Sequence, residues 1–320
     1  MIGDPNFAFR IGSIFSPDAA KRRQQMTNGR LVHYTTAENA LKIIQSRNVW
    51  MRNTKCMNDY MEVEYGFDRL TRFFAVHKQI FFASLEPCAA GVAEEAVKLF
   101  DDYLDRIRAH TYIACISEHL SSEDDHGRLS MWRAYGSRAV GVALVVNSAP
   151  FMSTSDALRA WSSPVSYMTE EEFHREMTQV IENIRSEQEY LRSITRAQLI
   201  GAIYNMLLFH ATCSKHPGFA EEREYRVIHT PKISPSALVT ASIQTIGGVP
   251  QNIYKIPLMN FPHEGLSLEI PIIVNRVIIG PSDYPIPIYD AFVDELQRAG
   301  MTDAASRVVI SNIPLRTASH

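Results

Sequence analysis

Two long helical stretches, at about residues 59–110 and 169–215, interrupt the strand-like runs of this chain, and that order constrains the fold more than any single motif. Residues 30–34 read as a strand. Thr36 can cap a helix through Ser46 that turns Leu41, Ile43 and Ile44 inward. Residues 49–51 make a short strand. The runs TYIACIS (111–117) and VGVALVV (140–146) are apolar enough to be buried strands. Between them, 118–128 reads as an acidic loop and 129–135 as a turn or short helix. After brief segments at 157–161 and 165–168, Thr169-Glu170-Glu171-Glu172 opens the second helical stretch. Residues 224–229, 238–243, 253–257, 268–271, 274–279 and 307–310 form a β-rich tail, broken by a last helix at 287–299. Residues 1–29 read as a loosely packed lead-in with a short helix from Asp18. Regular βαβ alternation and a GxGxxG loop are both missing, so a doubly wound nucleotide-binding fold is not expected. The expectation is an α+β fold, one domain over 30–320, with a mixed or antiparallel central sheet carrying the helical insertions.

The 320 residues are 46% apolar and 21% charged, enough for a full core. A net charge of −3 gives no global basic footprint for nucleic acid. Cys56, Cys88, Cys115 and Cys213 have neither CxxC nor zinc spacing and read as free thiols of a reducing compartment. No leader pattern and no apolar run of spanning length is visible, so the expectation is a soluble, cytoplasmic protein that does not enter a membrane.

Three polar-aromatic islands stand out. In His33-Tyr34-Thr35, strand alternation puts His33 and Thr35 on one face and Tyr34 on the other. Such a His can bond a ribose hydroxyl or act as acid or base near neutral pH. The alternative is a satisfied core histidine with a packing tyrosine. Asn58-Asp59 with Glu62 either forms a polar pocket one helical turn deep or is a simple helix cap. In the second island, Trp132 and Tyr135 fall on one helix face, as a clamp for a planar group or as a core pair. In the third, Glu222, Glu224 and Arg226 share a strand face. There an Arg two residues from a carboxylate keeps it ionised. The competing reading is a solvated strand edge. Lys215-His216-Pro217-Gly218, upstream, can form part of a phosphate-contacting rim. Asp124-Asp125-His126 is read as a loop and not a metal cluster. No metal site is expected.

These islands, in this order, resemble the bacterial family known as domain of unknown function 2971, some members of which are linked to abortive phage infection. The matching residues include His33-Tyr34-Thr35, Trp50, Asn58-Asp59 with Glu62, Met131-Trp132 with Tyr135, Gly141, and Phe219 with Glu222, Glu224 and Arg226. The opening strand and helix are also similar to those of ADP-ribosyltransferases. That resemblance implies that His33 and Thr35 hold NAD, that Tyr135 or Trp132 stacks on nicotinamide, and that Glu222 or Glu224 activates the acceptor. Arg47-Asn48 stands where those enzymes commonly close the first helix with glycine.

Two readings follow. In the first, the chain is an NAD-consuming, ADP-ribosyltransferase-like enzyme acting on a protein or nucleic-acid acceptor, as a phage-defence effector. His33, Tyr34, Thr35, Asn58, Asp59, Glu62, Trp132, Tyr135 and Arg226 would surround NAD. This reading expects His33 and the glutamates to converge in one cleft, and His33 and Glu224 on opposite sides of the sheet is the outcome that would sink it. In the second, the chain is a non-catalytic antitoxin-like partner or sensor in a defence system, with Glu222, Glu224 and Arg226 paired in the core. A metal-dependent hydrolase using Asp59, Glu62 and Glu222 is a further alternative.

Overall fold

A computed structural model describes residues 5–57, 63–135 and 139–315. Asn58, Asp59 and Glu62 lie outside the described residues. In chain order the strands are β1 (Arg30–Thr36), β2 (Asn48–Asn53), β3 (Tyr112–His119), β4 (Gly141–Asn147), β5 (Ala160–Pro164), β6 (Glu224–His229), β7 (Thr240–Ile246), β8 (Val249–Pro257), β9 (Asn260–Phe261), β10 (Leu266–Ser267), β11 (Val274–Ile279) and β12 (Val308–Ile310). Ten of them form one sheet in the order β12-β11-β4-β1-β3-β2-β8-β7, with β6 on β3 and β5 on β6. Every pair in it is antiparallel except β11 with β12, so the protein is α+β with a mostly antiparallel sheet. β9 and β10 form a separate small hairpin.

The sheet is split at its centre. One edge of β3 pairs with β6 from Tyr112 to Ser117. On the other edge, β2 pairs only at Tyr112 and Ile113, and β1 only from Ser117 to His119. β1 and β2 therefore diverge alongside Ala114-Cys115-Ile116.

The register also fixes the faces. Val32 and Glu224 both pair with Ser117, so they share a face with Tyr34, Cys115 and Arg226. The helix Leu129–Tyr135 covers one part of that face, where Tyr34, Trp132, Ala143 and Ile278 pack together. Helices Glu64–Leu85, Val92–His110, Glu170–Ser186 and Arg196–Thr212 pack around a large core of their own, and Cys213, at the end of the last, joins Ile113 and Ile228 of the sheet. The opposite face carries His33 and Leu144 and packs on helices Ala37–Ser46 and Pro285–Arg298.

Local signals explain the helices. Thr36 Oγ1 accepts the Asn39 N–H, and Thr169 and Glu172 exchange the two bonds of a capping box. Arg47 closes the first of these helices in the left-handed region at φ 51°, the conformation a glycine would take without strain.

Several expectations need correction. The lead-in is two packed helices, Pro5–Phe15 and Pro17–Gln25, which bury Ile14 and Phe15. Pro17 sits in the first helical turn, where its missing N–H costs nothing. Residues 165–168 lie past the end of β5, and Ile270–Ile273 is a helical turn and not a strand. The acidic loop is half structure: β3 runs to His119, and Glu123 and Arg128 are buried.

Candidate functional site

Glu224 begins β6 with its side chain only 5% exposed. Arg226 Nε donates to its Oε1 at 2.8 Å, and Lys215 Nζ approaches its Oε2 at 3.3 Å. The Cys115 thiol, from the neighbouring strand, also donates to this carboxylate. Burial pushes the Glu224 carboxyl up, but the Arg226 charge and hydrogen bond, with Lys215, outweigh that and hold it at about 2. Arg226 is fully buried and its Nη1 donates to the Thr212 carbonyl at 2.6 Å, which fixes the pair to the end of the helix Arg196–Thr212. Tyr167 accepts the Glu224 backbone N–H at 2.9 Å.

Glu222 is not on the strand, as alternation had suggested. It ends a 3₁₀ turn, Pro217–Glu222, and Arg223 then takes φ 45° before β6 starts. A left-handed Arg costs about 1 kcal/mol, so the turn must be held from outside. Arg128 holds it: Nη1 donates to the carbonyls of Glu221 (2.9 Å) and Glu222 (3.2 Å), Nη2 to that of Glu118 (2.8 Å), and Nε to Glu123 (3.0 Å). Its backbone N–H is accepted by Tyr34 Oη at 2.9 Å. Arg223 adds an ion pair to Glu123, and the Glu118 N–H donates to the Arg223 carbonyl. Lys215 Nζ donates to Glu222 at 2.8 Å, so one ammonium links both glutamates. The Glu222 side chain is 34% exposed, and the rings of Phe219 and Tyr135 stand exposed beside it. Lys215 also lies 4.7 Å from the centre of the Phe219 ring. Desolvation of the Tyr135 hydroxyl, with Cys115, Glu222 and Glu224 nearby, pushes it up to about 12.

Tyr135, Lys215, Phe219, Glu222 and Glu224 line an open cleft of about 1460 Å³ that also reaches Tyr34, His33 and Thr35. His33 and Thr35 enter it differently. Alternation places them on the sheet face opposite Glu224. Where β1 leaves β3, His33 Nδ1 bonds the Cys115 carbonyl at 3.0 Å. A carbonyl only accepts, so Nδ1 carries the proton and Nε2 keeps its lone pair. Burial lowers the His33 pKa and keeps the ring neutral. His33 and Glu224 thus line one cleft, as the transferase reading expects, but from opposite faces of the sheet, which tells against the two acting together and leaves the glutamates alone to carry that reading.

Of the two readings for Trp132, a stacking ring or half of a core pair, the structure bears out the core and not the stacking ring. It is 1% exposed, meets Tyr34 edge-on at 5.0 Å, and donates from Nε1 to the His126 carbonyl at 2.8 Å. Gly127, at φ 70°, and Gly280 give it room, since a side chain at either would strike its indole. Arg226 is likewise buried behind Glu224 and reaches the cleft only through it. Among the described residues no group of three His, Cys, Asp or Glu is placed to hold a metal ion.

One comparison bears on this region. Residues 131–227 match the family model for Protein of unknown function (DUF2971). No curated protein and no solved structure matches the chain. The DUF2971 match begins beside Trp132 and runs through Tyr135, Lys215, Glu222, Glu224 and Arg226, so it contains the whole acidic floor of the cleft. His33, Tyr34 and Thr35 lie before it. Three site residues escaped the sequence reading: Arg128, Tyr167 and Cys115. Arg128 follows Glu123 at i+5 in a run that reads as a solvated loop, and nothing local reveals that two of its partners are the carbonyls of Glu221 and Glu222, more than ninety residues on. Among the described residues no helix is long and apolar enough to cross a membrane.

Proposed function

We propose that the protein is an enzyme that cleaves the glycosidic bond of an NAD-type dinucleotide, in the manner of ADP-ribosyltransferases. The observation that carries this reading is the pair Glu222 and Glu224, joined by Lys215 beneath the exposed rings of Tyr135 and Phe219. The bond from ribose carbon to nicotinamide nitrogen breaks, and its electron pair leaves with nicotinamide. An oxocarbenium-like cation remains until a nucleophile, water or a hydroxyl or amine of a protein or nucleic acid, closes on it. A carboxylate ionised at every physiological pH is the group that stabilises such a cation. Glu224 has that state, and Glu222, nearer solvent, is placed to take the proton of the nucleophile. Tyr135 or Phe219 offers a face for the nicotinamide ring. A role as a defence effector belongs to this same reading.

Incubation with NAD, followed by assay of released nicotinamide, tests it. Wild type releases nicotinamide, and Glu222→Gln reduces the rate about 100-fold or more with melting temperature unchanged. Absence of both NAD binding and nicotinamide release in the wild type overturns it. That outcome favours the second reading, a non-catalytic partner or sensor, which the complete burial of Arg226 and its pairing with Glu224 support. Alanine at Glu224 then lowers melting temperature and changes nothing else.

A further inference from the structure

The part of the cleft on the face opposite Glu224 has different chemistry. Its floor is a row of side chains crossing the sheet: Ser162 of β5, Val227 of β6, Ala114 and Ile116 of β3, His33 of β1 and Leu144 of β4. Five strands at about 4.8 Å spacing make this floor about 19 Å long, and the divergence of β1 from β3 widens it. Ile116, Val227 and Val146 are only half-buried, and Phe151 and Leu158 wall the side. A half-exposed aliphatic floor in a concave site is what an apolar ligand requires.

At the β5 end lies Arg23, on the helix Pro17–Gln25. Its Nη1 donates to the carbonyl and to Oγ (3.2 Å) of Ser162, both neutral acceptors. Among the described residues it makes no ion pair, whereas its neighbour Arg22 is paired with Glu118 at 2.7 Å. Burial lowers the Arg23 pKa, as expected of a cation without a counter-charge.

We propose that this groove binds a long-chain carboxylic acid, its carboxylate on Arg23 and its chain lying across Val227 and Ile116 toward Leu144. His33 Nε2 is the polar group midway along the floor. The proposal does not rest on the glycosyl-transfer reading, whose carboxylates lie on the other face.

The test is a calorimetric titration of the full chain with palmitate, beside hexadecanol, which has the same tail and no charge. Palmitate is expected to bind tighter than hexadecanol. Arg23→Gln should weaken palmitate by about tenfold through loss of a charge-assisted bond. Arg23→Lys should retain most of the affinity, and Val227→Trp should abolish binding by filling the floor. Glu222→Gln should leave it unchanged, separating the two faces of the cleft. No palmitate binding to the wild type, or equal binding by Arg23→Gln and Val227→Trp with folds intact by circular dichroism, overturns the proposal.

Discussion

Arg128 shows how one buried residue sets the geometry of a site it does not line. Its guanidinium gathers the end of β3, the turn before β6 and the Glu123 carboxylate, while its backbone N–H meets Tyr34. Arg128→Ala would leave buried carbonyls and a carboxylate without their donor. The expected loss is about 2–4 kcal/mol in urea unfolding, with Arg128→Lys recovering only part because an ammonium cannot reproduce the fork. An unchanged denaturation midpoint for Arg128→Ala would disprove the role. At this scale the sequence was partly legible. Alternation separated Tyr34 from His33 and Thr35, and the strand register agrees. Alternation misplaced Glu222, because the left-handed turn at Arg223 is imposed by distant partners and leaves no mark on an ordinary arginine.

Between elements, two helix backbones come close at Gly66. A side chain there would run into the backbone carbonyls of His210 and Ala211, so helix Glu64–Leu85 meets helix Arg196–Thr212 backbone to backbone. Gly66→Ala must push the helices apart and is expected to cost about 3 kcal/mol, measured as a fall in melting temperature. Helix positions were readable from caps such as Thr36 and Thr169, whose partners are three residues away. The helix from Asp18 was readable too, but Pro5–Phe15 before it was not, because a proline-led start need carry no side-chain cap to mark it. Which helix lies on which sheet face depends on contacts between residues a hundred or more apart, beyond the reach of periodicity.

For the whole molecule, acid stability follows from its buried histidines. Burial lowers the pKa of His33, His119, His210 and His229, most clearly His210, to about 4. A histidine with a depressed folded pKa contributes stability that is present above its unfolded value near 6.5 and lost as pH falls toward the folded one. For His210 alone that is about 3 kcal/mol between pH 6.5 and 4. Glu176 works in the opposite sense. Burial raises its carboxyl to about 7, so its contribution is present below the unfolded carboxylate value and lost as pH rises through 7. The histidines outnumber it, so melting temperature should peak near neutrality and fall steadily below pH 6.5. His210→Phe, which keeps a ring against Phe173, should flatten that slope. An identical pH profile for the variant would refute the assignment.

The split beside Ala114-Cys115-Ile116 has a mechanical consequence. The β2-β8-β7 leaf is joined to β3 by two residue pairs, Arg52 with Ile113 and Asn53 with Tyr112, and by the Thr54 N–H donating to the Thr111 carbonyl just beyond them. By comparison, seven pairs join β1 to β4. A sheet normally resists bending across its strands, but here the stiffness drops at a single seam. What holds the leaf against the β1–β4–β11 block is therefore less the ladder than the core that Met51 and Ile256 share with Ala40, Ile44 and Leu144, so truncating those side chains loosens the leaf before it loosens the block.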